Sequence, residues 1–184
     1  MADASRRAVF LDRDGTIVED PGFLHQPGKV RLLAGAGEAI HQLNQAGWLV
    51  ITVSNQSGIA RGLYDAAAYQ AVHRRLVELL AAHDARLDGA YFCPHHPEFT
   101  GPCECRKPGL LLFREAQAAL GLDFTRCCWV GDRLSDVEPA RKLGGRALLV
   151  ETGGGATYVG KARALRIPVV ADLAAAAAEI VRGA

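Results

Sequence analysis

Three short apolar runs in this chain stop abruptly on polar residues, and each is followed by a stretch long enough for a helix. AVFL at 8–11 ends in Asp12 and Asp14, WLVITV at 48–53 ends in Ser54 and Asn55, and CCWV at 127–130 ends in Gly131 and Asp132. Runs of this length bounded by turn signals read as buried strands. Strands alternating with helices imply right-handed crossovers between parallel neighbours, and parallel strands bring their C-terminal ends to one edge. Open α/β sheets bind their ligands at that edge. The pattern therefore predicts an α/β, Rossmann-like three-layer sandwich around a mainly parallel sheet, with acids and hydroxyls from distant positions gathered in one cleft.

The remaining segments fit this plan. Helices are expected over 35–47, closed by Gly47, and from about Asp65, a plausible N-cap, to Ala85. GAYFC at 89–93 reads as a strand, 110–121 as a helix stopped by Gly121, and 135–144 as a helix with Ser135 as its cap. RALLV at 146–150 is a strand running into the glycine run 153–155, read as a flexible turn, and the tail adds a helix, a short strand at 168–172 and an Ala-rich helix. The segments after Thr16 and after Phe92 are too short for a large cap, so a single domain, 1–184, with an open cleft is expected.

Charge excludes one class of partner. With 21 basic and 20 acidic residues and no like-charge block, the chain lacks the field of a nucleic-acid binder. The longest apolar stretch, 48–53, cannot span a bilayer, and the N-terminal residues show no apolar leader. The expectation is a soluble, cytoplasmic monomer that meets neither nucleic acid nor membrane, with a small phosphorylated molecule as its partner.

The chemistry starts at Asp12 and Asp14. Two carboxylates one residue apart at a strand end repel each other and are costly to desolvate, which makes them poor structural choices. They make sense in phosphoryl transfer. Asp12 can attack phosphorus, forming an aspartyl-phosphate, while Asp14 protonates the leaving oxygen and then takes a proton from water. Mg²⁺ needs hard oxygen ligands, which Asp12, the backbone carbonyl of Asp14, Asp132 and the phosphate can supply. Ser54 and Lys107 suit the phosphoryl oxygens, and Asp136 reads either as helix N-terminal charge or as support for the metal.

CPHHPEFTGPCECRKP, from Cys93 onward, offers Cys93, Cys103 and Cys105 with His95 and His96. Zn²⁺ takes four tetrahedral sulfur or nitrogen ligands in structural sites, so Cys₃His is a sensible set with the histidine open between the two. A closed set of four protein ligands is structural rather than catalytic. Cys127 and Cys128, in the run CCWV, read as core.

DRDGT, SNQSG, RKP and GDRLSD, in this order and spacing, resemble the haloacid dehalogenase superfamily of phosphatases over roughly Val9 to Val150. The resemblance makes Asp12 the nucleophile, Asp14 the general acid/base, Ser54 and Lys107 phosphoryl stabilisers, and Asp132 a magnesium ligand. It places Arg106 in substrate recognition and puts Asn55, Gln56, Ser57, Arg133 and the flap Asp20, Pro21, Gly22 and Phe23 at substrate-contacting positions. It implies histidine at 21 and tyrosine at 23, where this chain has Pro21 and Phe23, and lysine at the position of Arg133. It also assigns the structural zinc to Cys93, His95, Cys103 and Cys105. The implied activity is Mg²⁺-dependent hydrolysis of a sugar bisphosphate. Histidinol phosphate is the alternative substrate, and a non-catalytic zinc-stabilised binding module is the alternative from another class.

Overall fold

The computed structural model describes residues 6–183. Its strands are β1 (Ala8–Leu11), β2 (Leu49–Asn55), β3 (Gly89–Cys93), β4 (Cys128–Gly131), β5 (Arg146–Val150) and β6 (Val169–Val170). They form one sheet in the order β3-β2-β1-β4-β5-β6. Every pairing is parallel, with Ala8 opposite Leu49 and Val9 opposite Cys128 in the two central ladders. The chain winds outward from β1 on one side, then crosses back to lay β4 on the other. This order puts a switch point between β1 and β4, where adjacent loops part and leave a crevice. Asp12 and Asp132 are the first residues beyond those two strands.

Strand periodicity sorts the core into two layers. Val9 and Leu11 face α1 (Ala36–Gln45), α3 (Ala66–Ala81) and α8 (Leu173–Arg182), packing with Ile40, Leu76 and Ile180. Ala8 and Phe10 face the opposite way, toward α5 (Leu111–Leu120) and α6 (Leu134–Leu143). There Phe10 meets Phe113 edge-on with centroids 5.2 Å apart and lies 4.8 Å from Trp129. Cys93 and Cys105 join this second layer, so the Cys/His loop is rooted in the core rather than draped over it. Short helices α2 (Ser57–Ala60), α4 (Pro97–Thr100) and α7 (Val159–Ala164) fill the connections.

Three local expectations are corrected. The helix expected to reach Ala85 stops at Ala81 because the Leu80 carbonyl accepts from both His83 and Ala85 amides and Asp84 turns to φ 52°. Its start is as read, with the Asp65 carboxylate accepting from Ala68 N at 2.8 Å. Ser135 does not cap α6. The helix begins one residue earlier, and Asp136 closes its first turn by accepting from Arg133 N at 2.9 Å. The stretch between Asn55 and Asp65, whose Gly58 and Gly62 signal a loop, carries the short helix α2. Among the described residues, neither the segment after Thr16 nor that after β3 builds a cap, and no helix is long and apolar enough to cross a membrane.

Candidate active site and metal centres

The mouth of the switch point is a cavity of about 360 Å³, with Asp12, Asp14, Asn55, Gln56, Lys107 and Asp136 in its lining. Lys107, only 4% exposed, is its electrostatic hinge. Its ammonium donates to Asp12 Oδ1 at 2.7 Å, to Asp136 Oδ1 at 2.8 Å and to the Val53 carbonyl. Burial works to lower its pKa, but the pairs with Asp12 and Asp136 outweigh it and hold the ammonium above its ordinary value. The Asp12 carboxyl is raised as well, but here burial is the leading cause. Burial, helped by Asp136, Asp132 and Asp14, outweighs the downward pull of Lys107 and leaves the carboxyl raised to about 8. Asp132 rises to about 6, chiefly through burial and then through Asp136.

These groups fit a divalent cation. Carboxylate oxygens of Asp12, Asp132 and Asp136 lie within 4.8 Å of one another. Asp136 is spent on Lys107 and on the Arg133 amide. Asp132 accepts from Gly154 N through Oδ2 at 2.7 Å, while its buried Oδ1 has no hydrogen-bond partner. A buried carboxylate oxygen with nothing facing it is costly unless a cation is its partner. Asp12 and Asp132 are therefore the natural carboxylate ligands.

Glycines make room for this arrangement. Gly15, at φ +85°, would place a Cβ 2.6 Å from Asp132 Oδ2, and Gly153, at φ +57°, would drive one into the same oxygen. Neither position admits a side chain, and Thr152 Oγ1 ties the two loops together by donating to the Gly15 carbonyl at 2.7 Å. The glycine run at 153–155 is thus the seat of Asp132.

Asp14 is held apart from the acidic group. Its carboxylate accepts from Arg13 Nε and Nη2 at 3.0 and 2.9 Å and from Gln56 Nε2 at 2.9 Å. Ser54 lies beneath the cavity surface, buried, with its hydroxyl accepting from the same Gln56 amide. Asn55 turns outward to clip the next loop, exchanging bonds with the Lys107 backbone at 2.9 and 3.2 Å. Ser57, Arg106, Arg133, Asp20, Gly22 and Phe23 also line the cavity, and Arg133 reaches Asp20 at 3.5 Å. Pro21 lies outside that lining and instead lines a second, smaller hollow of about 240 Å³ on the flap.

The second cluster closes on itself. Cys105 Sγ lies 2.9 Å from Cys93 and 3.5 Å from Cys103, Cys93 and Cys103 are 3.7 Å apart, and His95 Nδ1 is 3.2 Å from Cys105 and 3.9 Å from Cys93. Four tetrahedral ligands around zinc sit roughly 3.3–3.8 Å from one another, so the set is close to that shape. This Cys₃His cluster could hold a structural zinc. His96 is engaged elsewhere, accepting from Glu98 N at the start of α4. The loop then delivers Arg106, which donates to the His95 carbonyl, and Lys107 to the mouth.

Comparison with known proteins decides the family. Residues 104–176 match the HAD-hydrolase-like family model. The D-glycero-beta-D-manno-heptose-1,7-bisphosphate 7-phosphatase of Yersinia pestis is 39% identical over 165 residues, covering 85% of this chain and 87% of that one. The enzyme of the same name from Pseudomonas aeruginosa is 37% identical over 179 residues, covering 97% and 99%. Among solved structures, the D,D-heptose 1,7-bisphosphate phosphatase from B. bronchiseptica, complexed with magnesium and phosphate, superposes with a TM-score of 0.88 at 34% identity, covering 97% of this chain and 99% of that one.

The chain belongs to the haloacid dehalogenase superfamily. Within that frame, several site residues carried no recognisable signal in the sequence. Arg13 sits between the two aspartates as an unremarkable surface-type residue, yet it is 1% exposed, with its guanidinium 5.2 Å from the Tyr69 ring centroid. Tyr64 lies nine residues beyond the β2 terminus, and only the fold returns its hydroxyl to Gln56 at 2.6 Å. Gly153 and Gly154 read as a turn, because the carboxylate they seat is some twenty positions earlier.

Proposed function

We propose that this chain is a Mg²⁺-dependent phosphatase that removes the C7 phosphate of D-glycero-β-D-manno-heptose 1,7-bisphosphate. The observation that carries the reading is the buried Lys107 joining Asp12 and Asp136 beside Asp132 at the sheet's switch point. The relatives named above supply the substrate. Asp12 attacks phosphorus and its carboxyl becomes an aspartyl-phosphate, while Asp14 delivers a proton to the departing C7 oxygen. Water then attacks the phosphorus of that mixed anhydride, gives its proton to Asp14, and inorganic phosphate leaves with Asp12 restored. Ser54 and Lys107 hold the phosphoryl oxygens. Magnesium bound by Asp12, Asp132 and the Asp14 carbonyl would supply the positive charge that lets an anionic nucleophile approach an anionic substrate.

Arg106 and Arg133 stand on the rim of the same cavity and suit a second phosphate better than an imidazole. On this reading Asn55, Gln56, Ser57 and residues 20–23 surround the sugar. The zinc loop presents Arg106 and Lys107 from a single domain that works as a cytoplasmic monomer, without nucleic acid or membrane. The balanced charge and the open, uncapped mouth support that picture. The decisive experiment is inorganic phosphate release from the heptose bisphosphate and from histidinol phosphate, with Mg²⁺ present, compared as kcat/KM. Higher kcat/KM on the bisphosphate is expected. Preference for histidinol phosphate, or no release from either, would overturn the reading.

A further inference from the structure

We infer that Gln56 is a positioning residue: one side-chain amide aims Asp14 and Ser54 together, and Tyr64 and Arg13 fix which way that amide faces. The inference rests on the phosphatase reading above and assigns Gln56 to the reacting groups rather than primarily to the sugar.

The orientation of the amide follows from its neighbours. Gln56 is 2% exposed, so its polar atoms must find partners within the protein. Its Oε1 accepts from the Tyr64 hydroxyl at 2.6 Å and from Arg13 Nη2 at 3.3 Å. A guanidinium has no acceptor, so the atom facing Arg13 must be the amide oxygen, and Nε2 is turned to the other side. There it donates to Asp14 Oδ2 at 2.9 Å and to Ser54 Oγ. A hydroxyl carries a single proton. Because Ser54 accepts from Gln56, its own O–H is left to point elsewhere, as a phosphoryl-binding hydroxyl must. The two bonds of one amide thus set the group on the phosphoryl oxygens and the group on the leaving oxygen.

Tyr64 is itself fixed from both sides. Its ring lies on Gly58, where a Cβ would collide with it, and His25 of the flap stacks on it with centroids 5.5 Å apart and planes 8° from parallel. Burial pushes its phenol up to about 12, which keeps it a donor across the working pH range. The flap therefore touches the reacting carboxylate through a continuous path, His25 to Tyr64 to Gln56 to Asp14.

Substituted phenyl phosphates separate this role from a sugar contact, because they have no sugar hydroxyls. Loss of a well-aimed general acid hurts phenyl phosphate most and p-nitrophenyl phosphate least, since nitrophenolate departs without a proton. kcat/KM covers only the steps through phosphorylation of Asp12, so the comparison isolates proton donation. Gln56→Met is expected to lower kcat/KM on phenyl phosphate by about tenfold or more and on p-nitrophenyl phosphate by under about threefold, in the same sense as Asp14→Asn. Equal losses on the two esters, or a change confined to KM for the heptose bisphosphate, would overturn the inference. If Gln56→Met does not fold, Gln56→Asn, which keeps an amide one methylene short, is expected to show the same leaving-group dependence. Failure of the parent reading would show in the wild-type enzyme alone, as absence of phosphate release, before any variant is compared.

Discussion

Among the described residues, two clusters of side chains could hold a metal ion, and they are built on opposite principles. Cys93, His95, Cys103 and Cys105 come from one thirteen-residue stretch and turn inward on one another. Asp12 at the end of β1, Asp132 and Asp136 after β4, and Lys107 in the Cys/His loop are far apart in the chain and meet at one edge of the parallel sheet. The first is nearly complete without the rest of the fold. The second puts more negative charge than its one lysine can balance into a buried place, with an oxygen of Asp132 left unpartnered. An arrangement that local packing would avoid persists where chemistry uses it. On the proposed reading the closed cluster is a clip and the acidic one a reaction centre, and they are two residues apart at Cys105 and Lys107.

The sharpest way to break this contrast is to remove Asp12, the proposed nucleophile. Asp12→Asn keeps the shape of the side chain but cannot form the phosphoenzyme, so phosphate release is expected to fall by about 10⁴-fold or more while the circular dichroism spectrum is retained. Activity unchanged in that variant would move the chemistry away from the acidic cluster altogether. Lys107→Met comes next. It leaves Asp12 and Asp136 buried without their cation, so unfolding in urea is expected to show a loss of about 3–5 kcal/mol. A fall in kcat of about 10²–10³-fold should accompany it, as a charge on the transferring phosphoryl is lost. A variant that lost stability but kept kcat would make Lys107 a structural ion and not part of the centre.

Zinc removal tests the other half of the comparison. Treating the enzyme with a zinc-selective chelator in excess Mg²⁺ is expected to lower activity by about tenfold, through Arg106 and Lys107, and to raise hydrogen exchange across 94–106. The remaining strands should keep their protection, because Cys93 and Cys105 are rooted in a core layer that Phe10, Phe113 and Trp129 hold without metal. Global unfolding on chelation would show that the cluster is a folding nucleus rather than a local clip.

The two clusters also differ in how much of them the sequence disclosed, for a physical reason. The Cys/His set was readable because its ligands are neighbours in the chain and few other roles suit three thiols there. Spacing left His95 and His96 open, the family resemblance named His95, and the fold agrees by spending His96 on the α4 amide. The strand ends were equally readable, since a buried strand that stops on an acid is conspicuous, and so the switch-point architecture was legible too. What the chain order concealed were the groups that hold the acids in place. Asp136 is chemically ambiguous at a helix start and becomes a Lys107 partner only when β4 lies beside β1. Arg13 looks exposed until its burial against Tyr69 is seen, and Gly153 declares itself only by its distance from Asp132. These roles are long-range contacts, and local pattern carries no trace of them.

The smallest expected effect tests whether the reaction centre depends on that hidden support. Tyr64→Phe keeps the ring on Gly58 and against His25 but removes the hydroxyl that donates to Gln56 Oε1. Arg13 Nη2 still reaches that oxygen, at the longer distance of 3.3 Å, so the amide keeps its orientation with one restraint fewer. A neutral hydrogen bond of this kind contributes about 1 kcal/mol, which corresponds to about a fivefold loss in kcat/KM if it acts wholly on the transition state. The loss is expected on phenyl phosphate and on the heptose bisphosphate, with p-nitrophenyl phosphate nearly unchanged and the melting temperature shifted by only a few degrees. The same substitution should be silent toward the zinc cluster, whose ligands make no contact with Tyr64 through this path. If all three substrates slowed together, Tyr64 would be supporting the cavity wall in general, and the acidic centre would be as self-contained as the thiol clip.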